Sequence, residues 1–515
     1  MNTLVKLACT GTAQAKLTDL SGASEVDSLV TSSQVEEQVL LLAGARGLYE
    51  QAGWLPVEQV PIPPAADATD RAIRSPQLIH LLQQVLENKR FDLLTEFVRS
   101  LEQQHRHLPY EVLPLVLEVT EPELRQSILP VLGPRGIWLS QFNPRWAWVS
   151  QGTTSVTDND RTALKRAWEE GKLSQRLLAL NVIRQADATE GRQWLQEALP
   201  QEKADARATL LQALQTGLSR EDEPLLESLL DDRSEQVRQQ AASLLGQLPE
   251  SGYVSRMQFR AAAMVQGTYP QLSMNPPEEL PRDWMRDGIS NKSPAGRGKR
   301  GYWVESIVTA VPLSHWLPYC QGEPTRFLQA LQNDPYVDDM VQGLTRAVQV
   351  QADDSATTLA WVHALWNYWL FEWQSSRKKN QVMLNCMVVL LKRLPPTTAE
   401  QQILPFLVPG RIHTDALMMF LDVLCRPWST AFSLHYMQLA RHTVKTGVID
   451  EAYEWAKSLE NASRSLPRSV LGAALLPWEL REPASWTGRA LQQLVERFIE
   501  HVQLRKLFFE ELDAE

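Results

Sequence analysis

Residues 296–301 have the sequence G-R-G-K-R-G and formally match G-x-G-x-x-G, the glycine pattern of dinucleotide-binding loops. In those loops a strand delivers the chain, and the N-terminus of a helix receives the pyrophosphate. The preceding residues, 290–295 (S-N-K-S-P-A), are not typical of a strand. A G-x-x-x-x-G-K-[ST] phosphate-binding loop is also missing from the sequence. We therefore predict neither a dinucleotide site nor a bound cofactor.

The same part of the chain is a candidate binding segment because basic side chains are concentrated in it. Residues 286–300 contain five basic side chains and a single acidic one, Asp287. Glycine-rich backbone leaves N–H donors open, so cationic side chains can converge with them on an anion. An acidic protein surface, a phosphorylated ligand or nucleic acid would suit this segment, and a solvated loop without a ligand is the alternative. The predicted partner-binding residues are Arg286, Lys292, Arg297, Lys299 and Arg300.

No other group of residues has the spacing that catalysis or metal binding requires. The four cysteines, at positions 9, 320, 386 and 425, form no C-x-x-C pair. His105 and His107 would point to different sides of a helix, and His435 and His442 would lie about two turns, roughly 10 Å, apart. A G-x-S-x-G nucleophile motif does not occur. We therefore predict no catalytic residue and no metal ligand.

Length and composition limit the classes of protein to consider. The chain has 515 residues, of which 51 are Lys or Arg and 61 are Asp or Glu, which gives a formal net charge of −10. Such a length predicts several structural units or one extended repeat array. The negative net charge argues against a surface built as a whole for nucleic acid. The isolated cysteines suit a reducing compartment, and residues 1–20 lack the apolar core of a signal peptide, so we predict a cytoplasmic protein.

The pattern of apolar residues predicts an almost entirely helical protein. Leucines recur at three- and four-residue spacings, whereas strand-like alternation is nearly missing. The uncharged run 355–371 is shorter than the ~20 apolar residues that span a bilayer, so we predict a buried helix and no membrane segment. In it and just beyond, Trp366, Trp369 and Trp373 share one helix face; they suit a core, or a protein-binding surface if they are exposed. Predicted helices cover residues 28–49, 76–88, 92–105, 354–373, 381–394, 414–425, 428–446, 450–463 and a C-terminal stretch containing Leu491 to Val502.

Residues 222–249 give the clearest local prediction, a pair of helices. Pro224 suits the first turn of one helix, where its missing N–H group is not needed. A second helix would carry an apolar stripe from Val237 to Leu248, with Asp231, Asp232 and Ser234 as capping acceptors. The string D-D-R-S at 231–234, followed by Val237, Arg238, Ala241 and Leu244, resembles the HEAT repeat. This resemblance implies an α-solenoid of helix pairs.

More widely, the chain is similar to an uncharacterised bacterial family with HEAT-like repeats, often encoded beside MoxR-type AAA+ ATPases and von Willebrand A-domain proteins. The family has no established activity, so the resemblance implies an interaction role and a possible ATPase partner but no catalytic residues. The residues that carry the resemblance are 40–53, 133–148, 217–251, 284–289 (W-M-R-D-G-I), Val311-Pro312, His315-Trp316 and Gly11-Thr12.

These observations together predict an all-α protein, an α-solenoid of HEAT-like helix pairs with irregular Pro/Gly/Trp-rich connections. The expected parts are an N-terminal helical unit (1–150), a repeat array (151–265), a basic Gly/Pro-rich loop (266–301) and a C-terminal helical unit (302–515); residues 133–148 are expected to be irregular. The predicted function is a non-enzymatic scaffold or adaptor for a protein partner. The alternatives are a nucleic-acid-binding or base-processing protein that uses the basic loop, and a HEAT-type enzyme subunit that presents a cofactor.

Overall fold

A computed structural model describes residues 11–12, 29–52, 71–146, 148–149, 158–294, 296–351, 355–375, 381–407, 414–424, 426–480 and 486–515. The chain divides into two compact units, Met1–Ala68 and Thr69–Glu515. In the described residues the fold is all-α apart from one short hairpin, as the leucine spacing predicts. The predicted boundary at residue 150 lies outside the described residues, and the predicted subdivision of the chain that follows it stays a prediction.

The first unit contains one described helix, α1 (Val35–Ala52). It begins seven residues later than the predicted helix and extends three residues beyond it. Leu42 is fully buried against Val30, Val35 and Val39. The side-chain amide of Gln38 donates a hydrogen bond of 2.6 Å to the carbonyl of Val30, which fixes the turn that enters the helix. The proline-rich stretch 56–64 that should follow lies outside the described residues.

The second unit is built from short helices that follow one another with few intervening residues. One cluster of buried apolar side chains extends from Ile73 to Leu512 and includes residues of most of these helices. The first helices are α2 (Pro76–Glu87), α3 (Phe91–Gln103), α4 (Leu113–Leu117), α5 (Pro122–Ile128), α6 (Gly133–Ser140), α7 (Asp158–Glu170), α8 (Leu173–Ala186), α9 (Ala188–Ala198), α10 (Ala204–Leu211), α11 (Glu223–Leu229), α12 (Glu235–Leu245) and α13 (Gly252–Met264).

The rest of the second unit begins with strands β1 (Val265–Thr268) and β2 (Gln271–Met274) and is helical from there on. The remaining helices are α14 (Arg282–Arg286), α15 (Lys299–Ala310), α16 (Pro324–Ala330), α17 (Val337–Val350), α18 (Ala356–Ser375), α19 (Gln381–Leu391), α20 (Pro396–Ile403), α21 (Thr414–Val423), α22 (Thr430–Thr446), α23 (Ile449–Ser465), α24 (Arg468–Ala474) and α25 (Trp486–Ala514). Short 3₁₀ helices lie at Tyr110–Val112, Leu129–Val131, Pro144–Trp146, Leu199–Gln201, Gln212–Gln215, Arg220–Asp222, Leu313–Cys320 and Leu404–Phe406.

The helices α11 and α12 form the pair predicted for residues 222–249, but the predicted capping was wrong: Ser234 precedes α12 without a side-chain capping bond, and Asp231 accepts from Arg286 instead. Pro224 lies in the first turn of α11, and the α12 stripe from Val237 to Leu245 is buried. Asp232 accepts a hydrogen bond of 2.7 Å from the N–H group of Ser234, the residue that precedes α12. Asp232 also accepts from Arg207 at 2.8 Å, so this carboxylate joins α10 to the turn between α11 and α12.

Two regions differ from the prediction made for them. Residues 133–148 were expected to be irregular, but they contain α6 and a 3₁₀ turn, because Gly133 with a φ of 64° provides the turn that leads into the helix. Residues 266–301 were expected to form one long loop, but the antiparallel hairpin of β1 and β2 and the helix α14 occupy much of it. The helices α6 and α14 and the strands β1 and β2 are all shorter than the sequence windows over which periodicity can be recognised.

The tryptophans of α18 belong to the core. Trp366, Trp369 and Trp373 are all buried, which confirms the first of the two interpretations above. The indole N–H of Trp369 donates to the hydroxyl of Thr345 on α17 at 3.1 Å, so its polar atom is satisfied inside the core. Among the described residues, no helix combines the length and the apolar character needed to cross a bilayer.

The two ends of the second unit meet. The C-terminal helix α25 packs against α2, α23 and α24. The rings of Phe97 on α3 and Phe508 on α25 stack with their centroids 3.7 Å apart. Arg90 pairs with Glu500, and Arg106 pairs with Glu515 at 3.0 Å. A cavity lies beside this junction, between helices that are about 400 residues apart in the chain.

Candidate functional site

Arg286, the first residue of the predicted basic segment, is held by carboxylates of the protein itself. Its guanidinium donates to both oxygens of Asp231, at 2.8 and 2.9 Å, and to Asp287 at 3.2 Å. Asp287 is only 1% exposed and also pairs with Arg256 at 2.9 Å and Arg260 at 2.8 Å. Three guanidinium groups therefore share one buried carboxylate, and because Arg256 and Arg260 belong to α13, this carboxylate fixes residues 282–288 onto that helix.

Arg297 is paired in the same way at the start of α15. It forms an ion pair with Glu305, which is nearly inaccessible to solvent, and another with Asp339 at 2.5 Å. The carboxylate of Asp339 lies so close to Gly301 that a Cβ atom there would be 2.1 Å from one of its oxygens. The last glycine of the G-x-G-x-x-G match thus makes room for an internal carboxylate, which explains the glycine without a pyrophosphate.

The remaining three residues of the segment differ from one another. Arg300 donates a hydrogen bond to the carbonyl of Pro276, and its guanidinium lies 5.6 Å from the ring centroid of Tyr336. Lys292 and Lys299 are exposed and form no ion pair with any residue in the described part of the chain. Of the five predicted residues, three arginines have internal partners, and only the two lysines leave their charge available.

The cysteines in the described residues are poor nucleophiles. Cys320 is buried, and burial raises the pKa of its thiol. Burial also raises the pKa of Cys386, to about 12, so both side chains stay protonated near neutral pH. Cys9 and Cys425 lie outside the described residues. Across the same described ranges, no three His, Cys, Asp or Glu side chains are grouped as metal ligands would be.

A cationic cavity lies where the two ends of the second unit meet. Its volume is about 510 Å³. Five arginines and two carboxylates line it, an excess of three formal positive charges. The lining residues are Asp92, Thr95, Glu96, Arg99, Ser100, Gln103, Gln104, Arg426, Pro427, Arg464, Leu466, Pro467, Arg468, His501, Arg505 and Phe509.

Helix α3 provides one wall because its residues divide cleanly between two faces. The apolar residues, from Leu93 to Leu101, are buried in the core. The polar residues recur at three- and four-residue spacings, so they lie along the opposite face. Residues 92, 96, 99 and 103 therefore present two carboxylates, an arginine and an amide to the cavity in that order.

Arg505 of α25 forms the base of the cavity and is only 1% exposed. It donates to both carboxylate oxygens of Glu96, at 2.5 and 2.6 Å. It also donates to the carbonyls of Ser463 at 2.6 Å and Leu466 at 2.8 Å, at the C-terminal end of α23. Those carbonyls have no partner within their own helix, so a guanidinium is a suitable donor for them. Arg505 is therefore fully used in joining α3, α23 and α25.

Two further arginines have partners that leave part of each guanidinium toward the cavity. Arg464 pairs with Asp92 and Glu460, at 2.9 Å in both cases. Arg468 pairs with Asp513 at 2.7 Å, and its guanidinium lies 4.1 Å from the ring centroid of Phe509. Both carboxylates that line the cavity, Asp92 and Glu96, are thus already paired with arginines.

Arg99 and Arg426 have no carboxylate partner. Neither forms an ion pair or a hydrogen bond with any residue in the described ranges of the chain. Desolvation lowers the pKa of Arg426, and the nearby charges of Arg464 and Arg505 lower it as well, while Asp422 and Asp92 act in the opposite direction. An anion in the cavity would relieve this repulsion and fill the empty donor positions. The arrangement is suited to binding an anion.

His501 does not add to this charge at neutral pH. Its side chain is 14% exposed, and burial lowers its pKa to about 4. The carboxylate of Asp92, 3.9 Å away, acts in the opposite direction, while Arg505 and Arg464 lower the pKa as well. The positive charge of the cavity at pH 7 therefore comes from the arginines alone.

Comparison with known proteins places this arrangement in a family. The model of a family of unknown function (DUF5691) matches residues 3–512. The chain belongs to this family. Every residue that lines the cavity lies within the matched range, as do all five residues of the predicted basic segment. A comparison with curated proteins gave no match. For a member of DUF5691, then, a function has to be argued from the site.

Sequence reasoning missed the cavity of this DUF5691 protein because its arginines are scattered. Arg99, Arg426 and Arg505 come from three distant segments, none of which is basic over a window of fifteen residues in the way that 286–300 is. The one local signal is the four-residue spacing of Arg464 and Arg468, which is common on solvated helix faces. Only the packing of α25 against α2 and α3 brings these residues together.

Proposed function

We propose that this protein is a non-enzymatic helical-repeat scaffold that binds an acidic protein partner at the arginine-lined cavity. The observation that carries the proposal is the excess of arginines over carboxylates in the lining of the cavity, where Arg99 and Arg426 form no ion pair or hydrogen bond with any described residue. Guanidinium groups match carboxylates and phosphates in geometry, so such a site recognises anionic side chains well.

The scaffold part of the proposal is an α-solenoid of HEAT-like helix pairs with irregular connections. Its best support is the pair α11 and α12, in which each helix buries its apolar stripe. Helix stacks of this kind give partners a wide surface to contact. The interaction role that the sequence resemblance implies would make a MoxR-type AAA+ ATPase or a von Willebrand A-domain protein the first candidate partner, in the cytoplasm.

The alternative function, nucleic-acid binding or base processing through residues 286–300, receives less support from the geometry. Arg286 and Arg297 are paired with carboxylates, and Arg300 is bonded to a backbone carbonyl. Contacts with phosphate would have to compete with these bonds. A filter-binding assay with single- and double-stranded DNA and RNA at low salt tests this alternative, since such binding weakens steeply as salt rises.

The main experiment compares two charge reversals of equal size. The tagged protein is purified from its native host as the wild type, as Arg99→Glu/Arg426→Glu and as Lys292→Glu/Lys299→Glu, and the proteins that accompany each are identified. We expect an acidic partner to be lost from the arginine variant and retained by the lysine variant. None of the four side chains forms an ion pair with a described residue. The two variants therefore change the net charge equally, and neither leaves a carboxylate of the protein without its partner.

The opposite result would contradict the assignment of the site. If the lysine variant alone lost the partner, residues 286–300 would be the contact. If both variants retained it, neither region would be needed. Circular dichroism and thermal unfolding of each variant show whether it is folded before the comparison is made.

A further inference from the structure

The charge balance of the cavity calls for more than one negative charge in the same ligand group. With Asp92 and Glu96 paired to Arg464 and Arg505, neither carboxylate of the lining forms an ion pair with Arg99 or Arg426, although Asp92 and Asp422 lie close enough to Arg426 to attract its charge. One carboxylate carries a single negative charge and would balance only one of these two arginines. A phosphate monoester carries about −1.5 to −2 charges at pH 7 and offers three strong acceptor oxygens. Its charge matches the two arginines.

The charged groups that are still available in the cavity are donors. The hydroxyl of Thr95 already donates to the backbone carbonyl of Phe91 at 2.8 Å, and the hydroxyl of Ser100 donates to the backbone carbonyl of Glu96 at 2.9 Å. The guanidinium groups of Arg99 and Arg426 supply the N–H donors that stay open. A ligand rich in acceptors and without its own donors at this point fits them. A phosphate group meets this condition, and clusters of arginines recognise phosphorylated segments for the same reason.

The cavity does not offer what a nucleotide needs. Recognition of a base or of a single strand uses exposed aromatic rings on which the base stacks. Phe509 is the one aromatic ring apart from His501 in the lining, and it is buried under the guanidinium of Arg468 at 4.1 Å. The volume of about 510 Å³ also exceeds what an isolated phosphate fills, which leaves room for the chain that carries it.

We propose that the cavity binds a phosphorylated serine or threonine side chain of the protein partner, with Arg99 and Arg426 as the residues that contact the phosphate. This inference rests on the function proposed above, since it names the chemistry by which the same site recognises its partner. Recognition would depend on the phosphorylation state of the partner, and the scaffold would bind only the modified form.

The test uses three fluorescent peptide libraries that are degenerate except at one central position, which is phosphoserine, glutamate or serine. Their binding to the full-length protein is measured by fluorescence anisotropy at fixed ionic strength. We expect the phosphoserine library to bind at least about tenfold more tightly than the glutamate library, because one additional charge-assisted contact is worth about that factor. The advantage should vanish in Arg99→Gln/Arg426→Gln and persist in Lys292→Gln/Lys299→Gln.

Inorganic phosphate serves as the second probe, because it distinguishes a phosphopeptide from the free ion. We expect it to displace the phosphoserine library from the wild type but to bind at least about tenfold more weakly than that library, since it lacks the peptide contacts. Equal affinity of phosphate and library would overturn the assignment to a peptide. Equal affinity of the phosphoserine and glutamate libraries would show that the cavity does not recognise a phosphate group. The proposed function would still be supported if the purified Arg99→Glu/Arg426→Glu variant no longer carried the acidic partner. A phosphoserine preference that survives in Arg99→Gln/Arg426→Gln would overturn the site.

Discussion

Two arginine-rich regions of this molecule lead to opposite expectations when they are compared. In residues 286–300 every arginine has an internal partner, and Asp287 alone accepts bonds from Arg256, Arg260 and Arg286. In the cavity where the two ends of the second unit meet, neither Arg99 nor Arg426 forms an ion pair or a hydrogen bond with any described residue. The first region looks like a binding segment in the sequence, yet it holds the fold together. The second has only the spacing of Arg464 and Arg468 as a sequence signal, yet it contains the two arginines that form no ion pair with any described residue.

The comparison teaches that the local density of arginine is a poor guide to its role. What decides the role is the number of carboxylates that the fold places within reach of each guanidinium. A charge that is buried with its partner costs several kcal/mol to uncover, whereas an unpaired exposed charge costs little to remove. Substitutions in the two regions should therefore differ first in stability and only then in binding.

The largest effect is expected for Asp287→Asn. This change removes three ion pairs from one buried carboxylate, while Arg256, Arg260 and Arg286 keep Glu227, Asp283 and Asp231 as partners, so the free energy of unfolding should fall by about 3 kcal/mol. Denaturant unfolding of the purified variant measures the loss. Asp231→Asn is the matched control, because Asp231 pairs with Arg286 at the exposed surface and its loss should cost less than about 1 kcal/mol. An equal loss of stability in both variants would show that the buried ion pairs of Asp287 contribute no more than the exposed pair of Asp231.

Acidification should destabilise the cavity region through His501. The pKa of His501 is about 4 in the folded protein, below the ordinary value of 6.5, so the unfolded chain binds more protons between these two values. Stability is then complete above pH 6.5 and falls as the pH drops toward 4, by about 3 kcal/mol in all for this group. Unfolding measured from pH 7 to pH 4 should show a shallower decline in His501→Gln than in the wild type. Parallel curves would mean that His501 titrates normally.

Arg297→Gln should have an intermediate effect. Glu305 would keep Arg346 at 2.9 Å as a partner, so the loss should be about 2 kcal/mol rather than that of an unpaired buried charge. The control is Lys299→Gln in the same turn, for which we expect a change of less than about 0.5 kcal/mol. Thermal and denaturant unfolding of both variants provide the measurement. If Arg297→Gln were as stable as the wild type, the arginines of residues 286–300 would not contribute more to stability than those of the cavity.

The smallest effect on stability is expected for Arg99→Gln/Arg426→Gln. No internal partner is lost, and like charges are separated, so the free energy of unfolding should stay within about 0.5 kcal/mol of the wild type. Anion binding should nevertheless be lost, as measured with the phosphoserine library. A loss of stability of about 2 kcal/mol or more would instead show that these arginines hold the wall of the cavity in place.

Much of the helical framework could be predicted from the sequence. The helix predicted at 76–88 is observed at 76–87, because Pro76 and the buried leucines Leu78 and Leu82 mark its start and its inner face. The helix Gly133–Ser140 was missed, because glycine and proline at its start are typical of a turn as well. The hairpin at residues 265–274 was missed because each of its strands has four residues, too few for alternation to stand out.

The candidate site shows where prediction from the sequence ends. The sequence shows the excess of basic residues in 286–300. The carboxylates that neutralise Arg297 belong to Glu305 on α15 and Asp339 on α17, and the sequence does not indicate that they pair with it. Arg505 lies three residues beyond the predicted helical stretch that ends at Val502, and its bond to Glu96 joins residues 409 positions apart. Pairings over such separations depend on how the helices pack, which periodicity does not specify.

The sequence by itself determined that this protein is helical, because an apolar side chain every third or fourth residue can be buried in no other regular structure. It also determined the short connections and the sites of many helix starts. Only the tertiary structure decided which charges are left open, because a guanidinium is neutralised by whatever carboxylate lies within a few ångströms, however far away in the chain. The packing of α25 against the first helices of the second unit made that decision for Arg99 and Arg426.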